Sequence, residues 1–203
     1  LNIKTNLKNE KVTNLYIEKP SAFIRNYKFI KGFDEGRLSY DSVEKNGISK
    51  SNLKIYDFKV KKVPVLATLL SLASLQGIAD LLTGEGIRFD EFEMDYETKN
   101  KLTKIKEIYA IGPAISLLME GYIEKDNLTS LRGTLVPATT INKTISKIPL
   151  LGNILVGKKI GEGVFGVSFK IKGPSTNLKT TVNPIKTLTP RFITRTLEKI
   201  KKN

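Results

Sequence analysis

Apolar and polar residues alternate with a period of two along much of this chain. Successive side chains of a β-strand point to opposite faces of a sheet, so each such run has one apolar face and one polar face. In the clearest run, single Gly, Ser and Lys residues separate the apolar residues Phe165, Val167, Phe169 and Ile171. The pattern predicts a mainly β fold.

The same alternation recurs between short polar turns. It is clear over Ile115 to Ile123 and Leu131 to Leu135, and weaker over Val12 to Ile17, Arg37 to Val43, Leu53 to Val60, Phe92 to Tyr96 and Leu102 to Ile108. The turn signals are Lys45-Asn46-Gly47, Lys99-Asn100-Lys101, Lys125-Asp126-Asn127 and Gly173-Pro174-Ser175. Strands joined by such turns pair most easily with their chain neighbours, which predicts an open, laterally extended antiparallel sheet.

One nearly apolar helix is predicted from Pro64 to about Leu82. Proline suits the first turn of a helix, and Gly84 provides a stop. A membrane-spanning segment is the alternative, but polar residues such as Thr68 and Asp80 fall within a stretch that is already at the minimum spanning length. We therefore expect this helix to pack on the sheet.

Three further helices are predicted, at Ser21 to Tyr27, at Thr140 to Ile148 and from Thr189 to Lys202. The last has Thr189 as N-cap and proline at its first position. Its cations Arg191, Arg195 and Lys199 are spaced by four residues and form one stripe. The stripe is either a solvated surface or a contact for anionic headgroups.

The composition excludes several kinds of chemistry. The chain has no Cys and no His, so thiolate and imidazole metal sites and a histidine general base are absent. No nucleophile or phosphate-loop motif occurs, and the glycines from Gly161 to Gly166 precede a strand-like run where a dinucleotide fold needs a helix. We predict a protein that is not an enzyme and that uses no cofactor or metal.

The net charge of +14 is concentrated toward the end of the chain. From Lys143 onward, thirteen Lys or Arg face only Glu162 and Glu198, whereas Glu85 to Glu97 carries six acidic residues and one Arg. Such a basic end favours an anionic partner, either phospholipid headgroups or nucleic acid.

Several sequence blocks, in this order, resemble the C-terminal region of the bacterial AsmA-like, YhdP-type family. They are Pro64-Val65-Leu66-Ala67, Leu82-Thr83-Gly84-Glu85-Gly86-Ile87-Arg88-Phe89, Gly112-Pro113, Leu131-Arg132-Gly133-Thr134-Leu135-Val136-Pro137, Ile148-Pro149-Leu150-Leu151-Gly152-Asn153, Gly161-Glu162-Gly163-Val164-Phe165-Gly166 and Val182-Asn183-Pro184-Ile185.

The resemblance implies a curved, elongated antiparallel sheet that forms an apolar groove, with helices packed on it or capping it. Residues 1–203 would be one region of a longer periplasmic protein, anchored in the inner membrane by an N-terminal helix outside this chain. It would comprise strands and a short helix over 1–62, the apolar helix over 63–84, strands over 85–184 and the basic helix over 187–202.

The implied function is conduction of phospholipids between the inner and outer membranes of a diderm bacterium. The expected partners are phospholipid and, at the C-terminal end, the outer-membrane surface or an envelope protein; we expect a monomer and no nucleic acid. The alternatives are an envelope scaffold that carries no lipid and a basic nucleic-acid-binding module, and a sandwich of two sheets would show the same alternation.

Parity along three strands predicts one shared apolar face that lines the lipid path or the core beneath it. Its members are Ile115, Leu117, Met119, Leu131, Leu135, Phe165, Val167, Phe169 and Ile171. The predicted headgroup contacts are Arg191, Arg195 and Lys199.

Overall fold

Ten strands form a single antiparallel sheet in the computed structural model, which describes residues 1–24, 32–137, 166–174 and 176–185. The sheet is neither closed nor strongly curled. The strands are β1 Asn2–Thr5, β2 Lys11–Ile17, β3 Asp34–Lys45, β4 Ile48–Val60, β5 Ile87–Lys99, β6 Leu102–Ile111, β7 Ile115–Glu124, β8 Thr129–Pro137, β9 Gly166–Gly173 and β10 Lys179–Ile185. The predicted mainly β, antiparallel architecture is confirmed.

The strands lie in the sheet in the order in which they occur in the chain. The turn at Asn46-Gly47 shows why, because Lys45 pairs with Ile48 and both turn residues have positive φ, 52° and 73°. Two left-handed residues match the twist of a hairpin, so this two-residue turn returns the chain directly beside itself. The two-residue turn at Asn100-Lys101 also joins its strands directly, with Lys99 paired to Leu102, but there Asn100 has positive φ, 54°, and Lys101 does not.

Two strands were not anticipated from the alternation. All four residues of β1 are exposed, so it has no buried face to produce a pattern. In β10, Pro184 interrupts the sequence pattern, but it pairs with Val167 in a strand whose only described neighbour is β9. Proline is tolerated in such an edge strand. It has no N–H to donate, and an edge strand has one side on which no ladder hydrogen bond is needed.

The predicted apolar helix is present as two helices, α2 Pro64–Leu72 and α3 Gln76–Thr83, which corrects the expectation of one continuous helix. A Schellman motif ends α2. Ser74 lies in the left-handed region at φ 58°, its N–H donates to the Ser71 carbonyl, and the Leu75 N–H donates to the Leu70 carbonyl. Glycine usually occupies this left-handed position, so a serine there gave no stop signal in the sequence.

The helix pair packs on the apolar side of the sheet, as predicted. Leu69 and Leu70 of α2 and Ala79 and Leu82 of α3 belong to the same buried cluster as the strand residues. Helix α2 contacts β10 and α3 contacts β5, so the pair lies over the half of the sheet that runs from β5 to β10.

Stacked aromatic rings join this core to the start of β3. The Phe33 and Phe58 rings lie 5.5 Å apart, and the Phe58 and Phe89 rings lie 5.4 Å apart. One further helical turn, α1 Ser21–Ile24, begins where the first short helix was predicted, and Ile24 is buried in the same cluster. No helix in the described part of the chain is long and apolar enough to cross a membrane. The helices predicted over 140–148 and 187–202 lie outside the described residues.

Candidate functional site

Directly paired residues in neighbouring strands point to the same face of a sheet, so the register can be followed from strand to strand as a row. One such row, which we call the central row, crosses nine strands. Its members are Leu15, Tyr40, Leu53, Met94, Ile108, Met119, Gly133, Phe169 and Val182. Every side chain in it is apolar or aromatic, and the one residue without a side chain is Gly133.

A second row on the same face, the inner row, crosses the eight strands from β2 to β9 beside it. It consists of Ile17, Leu38, Ile55, Phe92, Ala110, Leu117, Leu135 and Val167. Neighbouring strands lie about 4.8 Å apart, so the central row extends for about 40 Å perpendicular to the strands and the inner row for nearly as far. We call the surface that they form the apolar face.

The opposite face carries ion pairs and hydrogen bonds. Asn52 donates to Asp95 at 2.7 Å, the Lys54 ammonium lies 3.1 Å from Glu93, and Arg132 lies 2.7 Å from Glu120. Burial lowers the pKa of Lys54, but its hydrogen bond to Glu93 and the charge of that carboxylate outweigh the burial and raise the pKa above its usual value. The sheet therefore separates an apolar surface from a charged one.

Eight of the nine residues predicted to share a face lie on the apolar face. Leu117, Leu135 and Val167 are in the inner row, and Met119 and Phe169 are in the central row. The remaining three flank these rows: Leu131 pairs with Ile171, and Ile115 pairs with Pro137. Their contact with lipid stays a prediction. Phe165, Arg191, Arg195 and Lys199 lie outside the described residues.

The apolar face is covered unevenly. In the inner row, Leu117, Leu135 and Val167 are buried, and the helix pair lies over this half of the sheet. In the central row, by contrast, half-buried side chains predominate, namely Leu15, Tyr40, Leu53, Met94 and Met119. The central row thus remains partly open to a ligand.

A β-bulge at Lys106 keeps the rows continuous. Tyr96 pairs with Ile105 and Asp95 pairs with Glu107, so the pairing skips Lys106. Ile105 and Ile108 are three positions apart and would point to opposite faces of a regular strand, but the bulge at Lys106 lets both point to the apolar face. The bulge also explains why the alternation in β6 was weak in the sequence.

Hydroxyl groups border the apolar face on its β2 to β5 side. The Tyr40 hydroxyl lies 3.2 Å from Ser51 Oγ, and Ser51 Oγ donates to Ser42 Oγ at 2.9 Å. Tyr96 lies directly opposite Ser51 on the next strand. Burial, together with the neighbouring Tyr40, raises the pKa of Tyr96 to about 12, so this hydroxyl stays neutral at physiological pH.

The central-row residues of β2 to β6 were missed as a set by sequence reasoning. Each strand was recognised, but only the register shows that Leu15, Tyr40, Leu53, Met94 and Ile108 are aligned. A partial signal was present, because a two-residue turn such as Asn46-Gly47 fixes the register of its hairpin.

Within the described ranges, no group of three or more acidic side chains is arranged to hold a metal ion. A comparison with protein-family models finds no match to this chain, and comparisons with curated proteins and with solved structures find none either.

Proposed function

We propose that this chain is part of a periplasmic lipid conduit whose apolar face carries the acyl chains of phospholipids between the two membranes of a diderm bacterium. The observation that carries the proposal is the pair of apolar rows, one across nine strands and one across eight. A conduit built from a meander needs apolar side chains aligned across the strands, because its path runs perpendicular to them.

An acyl chain gains a similar free energy of burial on such a path and in a bilayer. Removing an acyl methylene from water gains about 0.8 kcal/mol, whether a bilayer or a protein surface covers it. An apolar face can therefore exchange lipid with a membrane without a directed polar contact. The length of about 40 Å exceeds the roughly 15 Å of hydrocarbon in one leaflet, so successive lipids would fit along the rows.

The borders of the face also fit an amphipathic ligand. A phospholipid with its acyl chains on the central row would place its headgroup beyond Ser42, Ser51 and Tyr96, where hydroxyl groups replace apolar side chains. The helix pair would form one wall and the uncovered part of the central row the opening. This arrangement is our structural interpretation of the groove that the resemblance implies.

The remaining expectations belong to the same proposal. The full-length protein would be anchored in the inner membrane, and this region would lie toward the outer membrane as a monomer. Arg191, Arg195 and Lys199 would contact anionic headgroups at that end.

Photocrosslinking tests the conduit directly. A photoreactive amino acid at Leu53 or Met94, which are half-buried central-row positions, should capture phospholipid in cells of a diderm host. The matched control positions are Tyr16 and Ser39, which pair with each other on the opposite face. Capture confined to the first two supports the proposal, whereas equal capture at all four positions contradicts it.

A scaffold without lipid transfer is the second candidate, and the burial of Leu117, Leu135 and Val167 within the chain's own core favours it. In that case the apolar face serves only to bind α2 and α3. Native mass spectrometry of the purified chain separates the two functions. Co-purified phospholipid supports the conduit, and its consistent absence after gentle extraction supports the scaffold.

A further inference from the structure

A second surface, on the face opposite the apolar rows, concentrates positive charge. An open depression of about 1100 Å³ lies there at the ends of β6 to β10. Six cations line it, which we call the basic surface: Lys104, Lys106, Arg132, Lys170, Lys172 and Lys179. Glu120 is the one acidic residue among the lining residues.

The register places like charges directly opposite each other on this surface. Arg132 pairs with Lys170 across β8 and β9, and Lys172 pairs with Lys179 across β9 and β10. Directly opposed like charges destabilise a sheet. Two such pairs side by side are therefore unfavourable in the free protein and would be relieved by a bound anion.

Nearby carboxylates neutralise only part of this charge. Arg132 forms an ion pair with Glu120, and Lys106 forms one with Glu97 at 3.8 Å. The four other lysines of the basic surface form no ion pair with any residue that the structure describes. All four are exposed.

The residues between the lysines identify the kind of anion. One cross-strand row runs in the order Lys104, Tyr122, Ser130, Lys172 and Lys179, so two neighbouring hydroxyl donors lie between ammonium groups on both sides. This combination suits the oxygens of phosphate groups.

Apolar exposure at the same end favours a bilayer over a polynucleotide. Leu102 is 45% exposed and Tyr122 is 38% exposed, and both line the depression among the lysines. Tyrosine and aliphatic side chains beside cations are typical of residues at the membrane–water interface. Single-stranded nucleic acids instead stack successive bases on several aromatic rings, and Tyr122 is the one aromatic residue among those lining the depression.

We propose that the basic surface binds a bilayer surface that contains anionic phospholipid, with the four unpaired lysines and Tyr122 at the headgroup phosphates and Leu102 at the acyl boundary. This contact uses the face opposite the apolar rows and holds whether or not the rows conduct lipid. It would position the β6 to β10 end of the sheet against a membrane.

Vesicle flotation of the whole chain tests this proposal. The probe is phosphatidylcholine vesicles with and without phosphatidylglycerol, at low and high salt. The variant K104Q/K170Q/K172Q/K179Q is compared with K4Q/K8Q/K11Q/K19Q, which removes the same charge from four exposed lysines around β1 and β2. Each lysine near an anionic surface contributes about fivefold to the partition coefficient, so the first variant should lose on the order of a hundredfold or more. The second should lose much less.

Two further measurements distinguish a binding surface from a structural one. Because removing opposed like charges relieves repulsion, the melting temperature of the first variant should be unchanged or higher. Leu102→Asn should weaken the binding that persists at high salt, where charge attraction is screened. Equal losses from both lysine variants, binding that is independent of phosphatidylglycerol, or tighter binding to a single-stranded oligonucleotide than to the vesicles would overturn the proposal.

Discussion

The ring of Phe169 lies over Gly133, its direct partner across the β8–β9 pair. A Cβ atom added to Gly133 would lie 2.7 Å from Cζ of Phe169 and 2.4 Å from the Leu118 carbonyl oxygen. The aromatic ring therefore fills the space above the one residue in the central row that has no side chain. Continuity of the apolar face at this point depends on both residues.

Replacing Gly133 by alanine should destabilise the fold by about 1–3 kcal/mol, because the Phe169 ring and a strand backbone must both move. Urea unfolding measures the effect. The control is Gly77→Ala in α3, where an added Cβ meets nothing within 4 Å and improves helix propensity. That control should be neutral or more stable, and equal losses in both variants would contradict the packing argument.

Polar groups in the central row should abolish lipid binding if the row carries acyl chains. We expect the directly paired double variant Leu53→Asn, Met94→Asn to lose co-purified phospholipid in native mass spectrometry. Because an amide in the row removes apolar contact area and must be desolvated by an acyl chain, the loss should be specific to this face. Tyr16→Asn, Ser39→Asn changes a directly paired position on the other face and should leave the phospholipid content unchanged. Loss in both double variants would point to general unfolding.

Deleting Lys106 should be tolerated, since it converts the bulge into a regular strand in which Ile105 and Ile108 still point to the apolar face. Deleting Tyr109, in the same strand, should lower the stability much more. The side chains on one side of the deletion must then point to the opposite face of the sheet. Thermal unfolding of the two deletions gives the comparison. Similar melting temperatures would show that the stability of β6 does not depend on which face of the sheet its side chains take.

Alkaline pH should destabilise the protein through Tyr96. Its pKa in the folded chain is raised to about 12 by burial and by Tyr40, against about 10 for an unfolded tyrosine. The folded state holds this proton more tightly, so the associated stability is complete below pH of about 10 and is lost as the pH rises toward about 12. Tyrosinate absorbance and unfolding curves measured across this range should show the effect in the wild type and lack it in Tyr96→Phe.

Replacing Ser74, whose backbone is left-handed, by glycine should stabilise the chain. Ser74→Gly is expected to gain about 0.5–1 kcal/mol, because glycine adopts positive φ without the penalty of a Cβ atom. Ser71→Gly, inside α2, should instead lose about 0.5–1 kcal/mol from helix propensity. Chemical denaturation of both variants tests the opposite signs, and a loss at position 74 would count against the Schellman motif.

The amino-acid pattern alone was enough to predict the class of the fold and the pairing of successive strands. Alternation with a period of two must produce one apolar face per strand, and short turns such as Asn46-Gly47 leave little choice but to pair neighbouring strands. The facing of Leu117, Leu135 and Val167 followed from the same parity. These features depend on local geometry alone, so residues close together in the chain suffice to predict them.

The alignment of the strands with one another became visible in the folded structure. The central row exists because eight registers coincide, and two of these, the pairings of β6 with β5 and with β7, shift at the bulge that contains Lys106. The covering of one half of the apolar face by α2 and α3 also depends on contacts between distant parts of the chain. The break between α2 and α3 is local, but it uses a left-handed serine that gave no signal in the sequence. A sequence pattern records which face a residue takes within its own strand. The register depends on contacts between paired strands, so the sequence of one strand is not enough to predict it.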